Sequence, residues 1–128
     1  MLPGVRRWLY IIPVVMVLGG CGPEVGDDCK DSLDCASDGS RFCDYTQPEG
    51  YCLIQGCRAD ECPEEAVCVK FGLDEQARTF CLRHCKDNGD CRGGYECVAP
   101  DPSADLPTEI IDDAPEGNQY CASRVSVE

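Results

Sequence analysis

Thirteen cysteines and one histidine are the residues of this 128-residue chain best suited to chemistry. Thiolates with imidazole suit zinc, and closely spaced thiols suit redox exchange. The spacing argues against both. No C-x-x-C occurs, and the single histidine, His84, lies in Cys81-Leu82-Arg83-His84-Cys85 with no neighbour that would make it a base. G-x-S-x-G, H-E-x-x-H and a phosphate-cradling glycine loop are all missing as well. No catalytic residue, metal site or cofactor is therefore expected, and His84 reads as a solvent-exposed linker residue.

The cysteines divide unevenly. Cys21 stands apart, and the other twelve fall into three runs: Cys29, Cys35, Cys43, Cys52; then Cys57, Cys62, Cys68, Cys81; then Cys85, Cys91, Cys97, Cys121. In each run the first gap is four or five residues and the second five or seven, while the third is eight, twelve or twenty-three. Other residues recur with them. An acidic residue precedes the second cysteine each time (Asp34, Glu61, Asp90), and an aromatic precedes the fourth (Tyr51, Phe80, Tyr120). Such companions indicate an internal repeat.

These runs need elements to hold them. Gln47-Pro48-Glu49-Gly50 is a strong turn signal between two β-prone pieces. Val67 to Phe71 and Thr79 to Leu82 flank a polar loop, and "YECVAP" and "NQYCASRV" flank the longest one. The expected fold is small and disulfide-rich, with little helix. It consists of three tandem four-cysteine modules at 29–53, 57–82 and 85–122, each a turn plus a short β-hairpin. Four cysteines allow three pairings. First-to-third with second-to-fourth is favoured, because that crossing ties the turn onto the hairpin. The aromatic before the fourth cysteine is expected to cover the disulfides.

The N-terminus sets the compartment. Arg6 and Arg7 precede an apolar run from Trp8 to Leu18, followed by Gly19 and Gly20. That is the layout of a secretory signal peptide, and the run is too short for a membrane span. Leu18-Gly19-Gly20-Cys21 resembles the lipobox of bacterial lipoproteins. The resemblance implies a signal peptide at 1–20, cleavage before Cys21 and acyl chains on that residue, with 21–28 as a short tether. Disulfides persist only in an oxidising compartment, in agreement with export.

Removing residues 1–20 leaves 108 of the 128, and 13 cysteines among 108 is about 12%, above the level that marks a disulfide scaffold. Large apolar residues are sparse in the remainder, so disulfides must substitute for a sizeable core. The formal charge is −13; loss of Arg6 and Arg7 leaves 9 Lys and Arg against 24 Asp and Glu, a net of −15. Nucleic acid and anionic lipid surfaces would repel such a chain.

The third module carries a long acidic loop, 99–118, with four prolines and Ile110 and Ile111 at its middle. It could present Ile110, Ile111, Asp112 and Asp113 to a partner, or hold calcium weakly, although it lacks the EF-hand pattern. The plainer expectation is that the isoleucines fold back on the hairpin and that the loop is a dispensable insertion, since closure entropy grows slowly with length.

"CKDNGDCRGGYEC" in the third module resembles the N-terminal cysteine-rich modules of Dickkopf proteins, and the whole arrangement with its lipobox resembles cysteine-rich lipoproteins of myxobacterial type. Pro63-Glu64-Glu65 departs from that pattern where glycine would stand. The resemblance implies a small extracellular disulfide-bonded module and carries over no functional residue. The expected function is that of a lipid-anchored, non-enzymatic structural or protein-binding module at the cell envelope, most naturally the outer membrane. Its partner would be an unidentified envelope or extracellular protein, with no role for nucleic acid. A secreted inhibitor or ligand presenting a rigid loop is the alternative.

Overall fold

The computed structural model describes Gly4, residues 22–113 and residues 118–124. Within these, one short helix, α1 (Ser32–Cys35), precedes seven strands: β1 (Phe42–Asp44), β2 (Tyr51–Gln55), β3 (Ala66–Phe71), β4 (Arg78–Cys85), β5 (Tyr95–Val98), β6 (Thr108–Ile110) and β7 (Gln119–Ser123). All pairings are antiparallel. The order β1-β2-β4-β3-β6 forms one path, and β7 joins β4 to β5.

Three hairpins dominate, β1–β2, β3–β4 and β5–β7. In each, the third and fourth cysteines of a run are direct cross-strand partners: Cys43 with Cys52, Cys68 with Cys81 and Cys97 with Cys121. Directly opposed residues send their side chains to the same face. The preceding turn then lies over that face and supplies the first and second cysteines. The bonds are Cys29–Cys43, Cys35–Cys52, Cys57–Cys68, Cys62–Cys81, Cys85–Cys97 and Cys91–Cys121, so the first joins the third and the second joins the fourth in every run. At about 2–4 kcal/mol each, these bonds supply much of the stability that a small core cannot.

The acidic companions cap the turns. Asp31 accepts from Leu33 N and Asp34 N at the start of α1, while Asp34 accepts from Lys30 N at 2.8 Å. Asp87 and Asp90 repeat this capping box around the 3₁₀ turn at Asn88–Asp90. At the middle run Glu61 accepts from Arg58 N at 2.9 Å. Among the described residues, helix formation goes no further than these turns and a second 3₁₀ turn at Asp74–Gln76.

Two expectations are corrected. The residues between runs are not loose linkers: β2 continues past Cys52 to pair Ile54 with Cys81, and β4 continues past Cys81 to pair His84 with Tyr120. His84 is a half-buried strand residue, not an exposed linker histidine. Three or four residues between cysteines are too few for a flexible joint, and extended backbone crosses the gap instead. The stretch beyond Cys21 is also more than a tether. Val25 is fully buried, its N–H reaches Glu65 Oε1 at 3.2 Å, and Glu24 pairs with Arg83 at 2.9 Å.

Packing ties the runs together. Tyr51 is 1% exposed; its hydroxyl accepts from Arg83 N at 2.9 Å and donates to Cys121 O at 3.4 Å. Burial pushes its phenol up to about 12. Arg92 from the third run stacks 4.6 Å from the Tyr95 ring and donates to the Gly50 and Pro48 carbonyls of the first. Gly50 itself has φ +72°, and a Cβ there would run into the Cys29 carbonyl, so this turn position needs glycine. A continuous core of Val25, Tyr51, Leu53, Val67, Val69, Leu82, Tyr95, Ile110 and Tyr120 results.

Candidate functional site

Cys21 and residues 1–20, where a signal peptide is expected, lie outside the described residues, apart from Gly4. The described chain is fastened close behind them: Arg41 donates to the Pro23 carbonyl, and Gly26 N reaches Cys52 O at 2.8 Å. Among the described residues, no helix is long and apolar enough to cross a membrane.

Sulfur gathers in three places. In each run three cysteine sulfurs lie within 4.8 Å of one another, as in Cys29, Cys35 and Cys43, because two disulfides sit side by side. A disulfide sulfur carries no thiolate charge, so in this oxidised form the clusters act as cross-links.

The long loop contributes to the sheet. Its Thr108–Ile110 segment is β6, and Ile110 pairs with Val69, is 4% exposed and belongs to the core. Ile111 is half-buried against that core, and its N–H reaches Cys68 O at 3.1 Å. The isoleucines therefore face inward and do not form an aliphatic tip. Asp112 spends both carboxylate oxygens on backbone N–H groups, those of Asp60 at 2.8 Å and Cys68 at 3.0 Å. Asp113 is exposed, and its N–H reaches Asp60 Oδ1 at 3.3 Å. The shared hydrogen bond and charge of Asp60 raise the Asp113 carboxyl above the ordinary aspartate range. These aspartates fasten the loop to the turn between Cys57 and Cys62. Residues 114–117 of the loop lie outside the described residues.

Sequence reasoning missed a trough of about 630 Å³ on one face of the sheet. Leu53, Phe71, Phe80, Leu82 and Tyr120 form its walls, and Leu106 of the long loop is its exposed lip. Phe71 stands edge-on to Phe80 at 5.8 Å and to Tyr120 at 6.3 Å. The alternation of Arg78, Phe80 and Leu82 along β4 was a usable signal, since every second residue shares a face. Assembling the walls needed strands from all three runs, which the sequence does not align.

No family model, no curated protein and no solved structure matches this chain.

Proposed function

We propose that the chain is a lipid-anchored, non-enzymatic module of a bacterial cell envelope, built as three tandem four-cysteine modules and serving as a structural or protein-binding unit. One observation carries this reading: the body is fastened from Pro23 onward, directly behind the lipobox cysteine. An acylated Cys21 would then hold a rigid, disulfide-linked sheet close against the bilayer, without a swinging tether. The charge supports a covalent anchor, because a body with 24 acidic residues against 9 basic ones gains nothing from anionic lipid. The outer membrane is the proposed site, and the partner is an envelope or extracellular protein.

Cys21→Ser tests the anchor. Multiple acyl chains at about 0.8 kcal/mol per buried methylene hold a protein firmly on a membrane. The variant should lose lipidation, stall in processing and yield no membrane-bound mature form. Normal membrane-bound mature protein from Cys21→Ser would rule the anchor out. Release of wild-type protein without detergent would favour the secreted inhibitor instead. Crosslinking at the intact cell surface identifies the partner.

A further inference from the structure

The trough over β4 changes character along its length. Arg78, Phe80 and Leu82 share one face of the strand, each about 6–7 Å from the next. Leu82 is buried, Phe80 half-buried and Arg78 exposed, so the wall runs from an aliphatic floor through an aromatic ring to a guanidinium. Phe71 is the cross-strand partner of Arg78 and lines the same trough. Leu53 and Tyr120 complete the apolar floor. A volume of about 630 Å³ falls in the range of about 300–1,000 Å³ typical of small-molecule sites.

Charge selects the occupant. Among the described residues Arg78 makes no ion pair and no side-chain hydrogen bond, whereas Arg41 and Arg83 are both paired. The carboxylate at the trough, Asp44, is largely engaged: it accepts from Thr46 N at 3.0 Å, Thr46 Oγ1 at 2.6 Å and Gln47 Nε2 at 2.9 Å. It has little left to offer a cationic ligand. The acidic surface elsewhere repels anions only over about 8 Å at physiological salt, so a local guanidinium can still dominate at contact.

We propose that this trough binds a single-chain amphiphile with an anionic head, a medium-chain carboxylate, its apolar chain lying on Phe80, Leu82, Leu53 and Tyr120 and its carboxylate on Arg78. The guanidinium fork suits a carboxylate in two-point contact. Leu106 closes over the chain as the lip.

The test uses the full-length oxidised chain in lipid nanodiscs, with diazirine-bearing dodecanoate, dodecanol and dodecyltrimethylammonium at matched free concentrations. Crosslinks are mapped by mass spectrometry. Dodecanoate should label peptides carrying Phe71, Phe80 or Tyr120, at least about tenfold above the alcohol and the ammonium, the size of one charged hydrogen bond. Arg78→Gln should remove about that factor, Arg78→Lys should keep part of it, and Leu106→Asp should weaken labelling. Both positions are exposed, and the six disulfides of each variant serve as the folding check. Comparable labelling by all three probes, labelling outside the trough, absence of labelling, or indifference to Arg78→Gln would each overturn the proposal.

Discussion

Asp34 and Asp90 hold their carboxylates against backbone N–H groups that short turns would otherwise leave to water, those of Lys30 and Asp31 and of Lys86 and Asp87. Those bonds lower both carboxyls below the ordinary aspartate range. The stabilisation is present above the ordinary aspartate pKa and is lost as pH falls through the depressed folded value. Asp113 has the opposite sign. Its hydrogen bond to Asp60 favours the protonated form, so the stability it contributes is complete in acid and fades as pH rises through its raised folded value. Carboxyl-carbon NMR titration should place Asp34 and Asp90 below the ordinary aspartate range and Asp113 above it. Asp34 or Asp90 titrating at or above Asp113 would count against the capping geometry. The capping pairs were partly legible: Asp31-Ser32-Leu33-Asp34 and Asp87-Asn88-Gly89-Asp90 have the spacing of a capping box with aspartate in both roles. The Asp60–Asp113 contact was not, because it joins residues 53 apart.

Short elements carry the departures from the sequence reading. Thr108–Ile110 is only three residues long and sits among prolines and acids, so composition reads it as loop. It becomes a strand because β3 has an open edge and because Thr108 and Ile110 both turn inward, while Glu109 faces water near Lys70 at 3.8 Å. The turn at Gln47–Gly50, by contrast, was plain from its proline and glycine, since each fixes a backbone conformation locally. Because the insertion supplies a strand, its loss is expected to cost stability, contrary to the loop-length argument. Ile110→Ala should cost about 2–5 kcal/mol in urea unfolding of the oxidised chain, and Ile111→Ala, half-buried, should cost less. Both variants falling within about 0.5 kcal/mol of the parent would mean that β6 adds nothing to stability.

Over the whole molecule, the six disulfides stay within their runs, yet the sheet and the core do not. β4 pairs with β2 from the first run and β7 from the third, and the Tyr51 hydroxyl touches the backbone of Arg83, between the second and third runs, and of Cys121 in the third. Cysteine spacing made the cross-links legible, because neighbours within a run are close in sequence and the hairpins keep them close in space. The contacts between runs were hidden, since Tyr51 and Cys121 lie 70 residues apart and nothing local marks their meeting. A repeat of cysteines can therefore share one sheet and one core, and the three runs are expected to open together. Tyr51→Phe keeps the ring, the burial and every disulfide, and removes only the hydroxyl. It leaves the Arg83 N–H and the Cys121 carbonyl each short of a partner, at a cost of about 1–3 kcal/mol. If the sheet opens as one unit, amide exchange in β4 and β7 should quicken by the same factor as in β2. Faster exchange confined to residues 42–55 would show instead that the runs open separately, each held by its own pair of disulfides.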